Sequence, residues 1–148
     1  MYKRILIAVD GSELAARGLE QGLVLASQLQ AEVAVVTVSE PQVTGYEGAL
    51  GWGGAYNLLP EYQRAQQEAA TRVLDAAREK AQAAGIAAEV VHVPDRYAAD
   101  AIIETAEARG SDLIVMASHG RRGLGRLVLG SQTSEVLARS RIPVLVIR

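Results

Sequence analysis

The chain has 148 residues, enough for one domain with a full hydrophobic core and too few for two ordinary domains. Its net charge of -2 weighs against a general nucleic-acid binder, and cysteine is absent. The lack of cysteine excludes disulfides, thiolate metal sites and cysteine nucleophiles, and it agrees with a reducing, cytoplasmic location. The N-terminal MYKRILIAVDGSE has only a short apolar run, and no run approaches the ~18 residues of a membrane span. We therefore expect no signal peptide and no membrane partner.

Short apolar, β-branched runs alternate with longer helical patterns along the chain. The pattern predicts strands over 4–9, 32–38, 88–93, 112–117 and 143–147, and helices over 13–29, 61–84, 98–109 and 132–139. Ser12 is the predicted N-cap of the first helix, and Gly85 and Gly110 end the second and third helices. The predicted inward face of the second helix is Ala65, Ala69, Val73, Ala77, Ala81 and Ala84.

Strands that are apolar throughout are typical of a parallel sheet covered by helices on both faces. The sequence therefore predicts one α/β domain over 1–148, a doubly wound five-stranded parallel sheet. Two strand orders compete, 2-1-3-4-5 and 3-2-1-4-5. The second order is favoured because it brings Asp10, after strand 1, beside the glycine-rich segment that follows strand 4. Both would then lie at the crevice where the strand order reverses.

Residues 40–60 do not fit a short connection between a strand and a helix. Five glycines and the aromatic residues Tyr46, Trp52 and Tyr56 lie in this segment of about twenty residues. A surface loop is one interpretation, and a lid or a contact with a partner is the other.

The segment 118–131, SHGRRGLGRLVLGS, contains four glycines and three arginines but no acidic residue. It matches neither the P-loop nor the dinucleotide fingerprint. Gly130 precedes Ser131, the apparent N-cap of the last helix, where free N–H groups favour an anion. Arg121, Arg122 and Arg126 would add positive charge at the rim. The segment is thus either an anion-binding loop or a solvated basic turn.

The glycine-rich segment, together with the two ends of the sequence, resembles the universal stress protein family. The resemblance rests on His119–Gly120 followed, after nine residues, by Gly130–Ser131, with IAVDGSE near the N-terminus and IPVLVIR at the C-terminus. The adenine-nucleotide-binding branch of that family carries G-x2-G-x9-G-[ST]. In this chain the second and third glycines are Gly120 and Gly130, whereas Ala117 replaces the first glycine.

The resemblance implies a binding site for ATP or AMP, with the presence of Mg²⁺ left open. The implied contacts with the base and ribose come from the ends of strands 1, 2 and 4, and those with the phosphates come from the glycine-rich segment. They are Ala8, Val9, Asp10, Val38, Met116, Ala117, His119, Gly120, Gly130, Ser131, Gln132 and Thr133. The resemblance also implies strand order 3-2-1-4-5.

Several of these residues have an ordinary structural alternative. Asp10 either accepts a ribose hydroxyl or supports the turn before the first helix. His119 is either a phosphate-side contact or a loop histidine, and His92 is interpreted as structural. No serine lies in a G-x-S-x-G elbow, and the sequence names no catalytic base. The resemblance implies at most slow ATP hydrolysis.

The predicted order leaves strand 5 at an edge of the sheet. Residues 142–148 are apolar up to Arg148, and an exposed edge of this kind tends to pair with another strand. We therefore expect a homodimer through Ile142 to Arg148, as the resemblance also implies. The expected function is that of a nucleotide-binding stress-response sensor or regulator of an unknown partner protein. The alternatives are a nucleotide-independent interaction module and a weak ATP hydrolase.

Overall fold

The fold alternates strands and helices along the chain, as the sequence predicts. The computed structural model describes residues 1–41, 60–119 and 129–148. The strands are β1 (Arg4–Ala8), β2 (Glu32–Ser39), β3 (Glu89–Pro94), β4 (Leu113–Ala117) and β5 (Val144–Ile147). The helices are α1 (Glu13–Leu29), α2 (Pro60–Ala83), α3 (Ala98–Ala108) and α4 (Ser131–Arg139).

The five strands form one sheet in the order β3-β2-β1-β4-β5, and every neighbouring pair is parallel. This confirms the order 3-2-1-4-5 over the alternative 2-1-3-4-5. In register, Ile7 of β1 lies between Val35 of β2 and Val115 of β4. All three side chains are fully buried, which explains why the central strands contain no polar alternation.

The sheet separates two hydrophobic layers. Alternate residues of the central strands, such as Ile5 and Ile7, pack with Leu19 and Leu23 of α1 and with Leu74 of α2. The intervening strand residues pack on the opposite face, in a second cluster with Ile102 of α3 and Val136 of α4. These strand residues are Leu6, Val36, Ile114 and Met116. Each strand residue therefore has a fixed face, which determines which side chains can reach a crevice at the end of the sheet.

Of the two glycines in α1, one allows the helix to approach the sheet closely. A Cβ at Gly22 would lie 2.7 Å from Cδ1 and 3.2 Å from Cγ1 of Ile7. A Cβ at Gly18 would meet nothing closer than 3.8 Å. Gly22 is therefore required by the packing of α1 on β1, whereas Gly18 has room for a methyl group.

The predicted start of α1 and the predicted end of α2 are confirmed. The N–H of Ala15 donates to Oγ of Ser12 at 3.1 Å, so Ser12 caps α1. Gly85 has a positive φ of 75°, and the N–H groups of Gly85 and Ile86 bond back to Gln82 and Ala81. These bonds satisfy carbonyl groups at the end of α2 that the helix itself leaves without partners.

The inward face predicted for α2 was partly wrong. Ala77 and Ala81 are buried as predicted, but Ala65 and Ala84 are exposed, while Ala70 and Leu74 are buried instead. Alanine occurs on several sides of this helix, so its spacing does not define one apolar stripe, and contact with β2 and β3 decides the orientation.

Most of the segment 40–60 lies outside the described residues, which resume at Pro60. The two interpretations of that segment therefore stay open. In the described ranges, none of the helices combines the length and the apolar character needed to cross a bilayer.

Candidate functional site

The strand order reverses between β1 and β4, which are direct neighbours in the sheet. The chain leaves β1 for α1 on one face, and it returns after β4 as α4 on the other face. The two connections therefore part at the carboxyl ends of these strands, which is where a doubly wound sheet is expected to have its ligand crevice.

The turn after β1 is organised by Asp10. The N–H of Val9 donates to the carbonyl oxygen of Val36 at 2.9 Å, which extends the pairing with β2 past the end of β1. Oδ1 of Asp10 accepts the N–H of Ser12 at 2.9 Å, and Gly11 between them has a φ of 83°. Asp10 thus supports the turn before α1, which was one of its two expected roles. It is half-buried at the mouth of the crevice, where the other role would also place it.

The predicted strand residues divide between the two faces of the sheet. Ala8, Val38 and Met116 belong to the layer beneath α3 and α4. Val9 and Ala117 belong to the layer beneath α1 and α2. Only the first group has side chains on the same face as the N-terminus of α4.

The methyl group of Ala117 packs in the core. Ala117 is 8% exposed and belongs to the same cluster as Ile147, and its backbone nitrogen would lie 3.8 Å from a Cβ at Gly18. The departure from the glycine pattern therefore adds a methyl group beneath α1, on the face opposite to α4.

The N-terminus of α4 is joined to the end of β4 by backbone hydrogen bonds. The N–H of Gly130 donates to the carbonyl oxygen of Ser118 at 2.8 Å, and the N–H of Ser118 donates to Ile147 at 2.7 Å. The prediction that Ser131 is the N-cap was wrong. Because the carbonyl oxygen of Gly130 accepts the first helical bond, from Ser134, Gly130 is the N-cap and Ser131 is the first helical residue.

Gly130 also has a packing requirement. A Cβ at this position would lie 3.1 Å from Cα of His119 and 3.4 Å from the carbonyl oxygen of Ser118. A glycine here therefore lets the chain enter α4 directly against the end of β4.

Two predicted phosphate-side residues use their side chains within the protein. Oγ1 of Thr133, which is 2% exposed, donates to the carbonyl oxygen of Ala117 at 2.9 Å. Oε1 of Gln132 accepts the N–H of Ala99 in α3 at 2.9 Å. Their side chains thus have partners inside the protein, and their backbone N–H groups lie in the first turn of α4.

Comparison with known proteins identifies the family. The family model described as "Universal stress protein family" matches residues 1–148. The chain belongs to the universal stress protein family. The universal stress protein YxiE of Bacillus subtilis is 30% identical to it over 151 residues, covering all of both chains.

Solved structures of universal stress proteins share the fold. That of MJ0577, from Methanocaldococcus jannaschii, superposes with a TM-score of 0.81 at 26% identity, covering 99% of this chain and 96% of the other. A universal stress protein crystallised in complex with cAMP has a TM-score of 0.71 at 24% identity, covering 99% and 97% of the chains. The latter likeness shows the fold alone.

The remaining part of the family motif is only partly described. Nδ1 of His119 lies 3.2 Å from Oγ of Ser118 at the end of β4, and His119 is half-buried. Gly120, together with Arg121, Arg122 and Arg126, lies outside the described residues. The candidate residues that the structure describes in β1, β2, β4 and the start of α4 thus lie at the carboxyl end of the universal stress protein sheet, on both of its faces.

The sequence did not reveal the residues whose hydrogen bonds join α4 to α3 and to the ends of β4 and β5. Ser118 accepts the N–H of Gly130, Ile147 accepts the N–H of Ser118, and Ala99 donates to Gln132. The first two contacts use backbone atoms only, so the amino-acid sequence does not indicate them. The glutamine and its partner are 33 residues apart, beyond the reach of any local pattern.

No group of three histidine, aspartate or glutamate residues in the described ranges could hold a metal ion. His92 lies in β3, an edge strand of the sheet. Burial lowers the pKa of its imidazole, and its Nε2 lies 2.8 Å from Oγ of Ser39. This arrangement agrees with the structural interpretation of His92.

Proposed function

We propose that this universal stress protein binds an adenine nucleotide, ATP or AMP, in the crevice between β1 and β4. It would act in the cytoplasm as a non-enzymatic sensor or regulator of a partner protein in a stress response. The observation that carries the proposal is the start of α4. Its first residues, Ser131, Gln132 and Thr133, have backbone N–H groups that have no acceptor inside the helix.

The charge at this helix start also favours an anion. The first turn of α4 contains no acidic residue, so nothing there opposes the positive end of the helix dipole. In contrast, the first turns of α1, α2 and α3 each contain an acidic residue: Glu13, Glu61 and Asp100. Among these helices α4 is thus the one best suited to a phosphate group.

The replacement of the first motif glycine by Ala117 does not argue against this site. Its methyl group lies in the core beneath α1, and its carbonyl oxygen accepts the hydroxyl of Thr133. The opposite face of β4, beneath α4, carries the side chain of Met116. The substitution therefore leaves the face that would meet a base or ribose unchanged.

The test adds one negative charge to the start of α4. Ser131→Asp is the appropriate variant because Ser131 is exposed, and an aspartate in a first helical turn stabilises the helix. Gly130 is a poor choice since any side chain there meets His119. Gln67→Glu, at an exposed position of α2, is the control with the same net charge.

Calorimetric titration with ATP, AMP and adenosine, each with and without Mg²⁺, measures the affinity of the wild type and of both variants. We expect saturable ATP binding by the wild type and by Gln67→Glu, and at least about tenfold weaker binding by Ser131→Asp. Adenosine affinity should be the same in all three proteins. If the wild type does not bind ATP or AMP at millimolar concentration, the proposed function is wrong.

A second candidate is an interaction module that needs no nucleotide. It is favoured by the hydrogen bonds that Gly130, Gln132 and Thr133 already make inside the protein. Unchanged partner binding by Ser131→Asp would support this alternative. Phosphate release from ATP in the same samples would reveal slow hydrolysis.

We also propose a homodimer through β5. The carbonyl oxygens of Pro143 and Ile147 accept bonds from β4, so the residues that alternate with them, Val144 and Val146, direct their backbone groups away from the sheet. Leu145 is 37% exposed. Pairing with a second copy would cover this edge.

A further inference from the structure

The helix α3 is capped by a residue of another helix. Tyr97 precedes its first turn and makes no side-chain hydrogen bond with it. Oε1 of Gln132, the second residue of α4, instead accepts the N–H of Ala99 at 2.9 Å. Since the first N–H groups of a helix have no acceptor inside it, Gln132 supplies what the local sequence of α3 lacks.

A second contact joins the same two helices. Nη1 of Arg139 lies 2.7 Å from Oδ1 of Asp100, which belongs to the first turn of α3. Residues 132 and 139 are two turns apart and therefore lie on the same side of α4. The helix is thus fastened to the start of α3 near both of its ends, once at the crevice and once away from it.

The bond to Ala99 also sets the orientation of the Gln132 amide. Because an N–H group needs an acceptor, the oxygen is the end that faces α3, and Nε2 with its two hydrogens is the other end. Within the described ranges no acceptor from the protein is found for Nε2. Gln132 thus keeps a side-chain donor in the first turn of α4, whose own N–H groups have no acceptor inside the helix.

We propose that Gln132 is a positioning residue for phosphate recognition. By capping α3 it fixes the first turn of α4, and with it the N–H groups that would receive the phosphates of a nucleotide. This inference rests on the proposed function, since it assigns a role within that same site. It predicts that the contact with α3 affects affinity for the phosphates and leaves recognition of the nucleoside unchanged.

Three variants separate this role from a merely structural one. Gln132→Leu removes both the acceptor and the donors. Gln132→Glu retains an acceptor for Ala99, so α3 stays capped, but it loses the donors and places a negative charge beside the helix start. Arg139→Met is the matched control, because it breaks the contact with Asp100 at the far end of the same helix face.

The first measurement is hydrogen exchange at the Ala99 amide, which needs no nucleotide. We expect protection in the wild type and in Gln132→Glu, and loss of protection in Gln132→Leu. Equal protection in all three proteins would show that Gln132 does not cap α3 in solution, and it would overturn the proposal.

The second measurement is the affinity for ATP and for adenosine. We expect Gln132→Leu to bind ATP about tenfold more weakly than the wild type, with adenosine affinity unchanged and Arg139→Met equal to the wild type. The inference is overturned if Gln132→Leu binds ATP normally, if its ATP and adenosine affinity fall together, or if Arg139→Met loses as much. A wild type that binds no nucleotide would instead contradict the proposed function, and the exchange experiment would still test the cap.

Discussion

The hydroxyl of Thr133 donates a hydrogen bond of 2.9 Å to the carbonyl oxygen of Ala117. Thr133 is 2% exposed, so the bond is shielded from water. It joins the first turn of α4 to the last residue of β4, across a segment that includes the nine residues between Gly120 and Gly130. The helix start is therefore fixed to the sheet independently of the path that the chain takes between them.

Replacement of Thr133 by valine keeps the shape of the side chain but removes the donor. The carbonyl oxygen of Ala117 then stays buried without that bond, so we expect a loss of about 1–3 kcal/mol in the free energy of unfolding. Denaturation with urea measures it. Thr133→Ser retains the hydroxyl and should lose less, and equal stability of the valine variant and the wild type would contradict the role assigned to the bond.

Replacement by alanine should change the stability of the protein in opposite directions at the two glycines of α1. Gly22→Ala would place its methyl group 2.7 Å from Cδ1 of Ile7, a fully buried residue, so we expect destabilisation by about 1–2 kcal/mol. Gly18→Ala meets only contacts of 3.8 Å or more and should stabilise the protein by about 0.5–1 kcal/mol through the unfolded chain. Thermal and urea denaturation of both variants provide the comparison, and a stabilising Gly22→Ala would show that α1 is not tightly packed on β1.

His92 predicts a dependence of stability on pH. Burial lowers its pKa below the ordinary value of 6.5, so protonation favours the unfolded chain. The contribution of neutral His92 is therefore fully present above about pH 6.5 and decreases as the pH falls below it. His92→Gln retains a partner for Ser39 but does not titrate. We expect the melting temperature of the wild type to fall more steeply than that of the variant between pH 7.5 and 5.5, and parallel curves would refute the assignment.

The dimer proposal is tested by one substitution at the sheet edge. In Val146→Pro the lost N–H points away from β4, so the pairing of β5 with β4 keeps its hydrogen bonds. We expect a dimer for the wild type and a folded monomer for the variant at micromolar concentration by light scattering. A wild-type monomer would exclude the dimer, and a dimeric variant would place the interface elsewhere.

The family motif shows how far the candidate site could be predicted. The sequence places Asp10, Gly130 and Ser131 at the end of β1 and the start of α4, because a chain that turns sharply beside a strand end leaves a short, recognisable motif. Their individual roles were less predictable: Ser131 was expected to be the N-cap, whereas Gly130 holds that position. The two differ by a single residue, and the first helical hydrogen bond decides between them.

The sequence by itself determined the elements and their parallel arrangement, because continuous apolar runs require burial on both faces and because glycine ends helices through a positive φ. It left two strand orders open, and it favoured the observed one because that order brings Asp10 beside the glycine-rich segment. Only the tertiary structure decided that Ala117 directs its methyl group into the core, that Leu74 and not Ala65 faces the sheet, and that Gln132 caps α3. Local patterns reach about one helical turn along the chain, whereas these contacts join segments that meet only once the sheet has assembled.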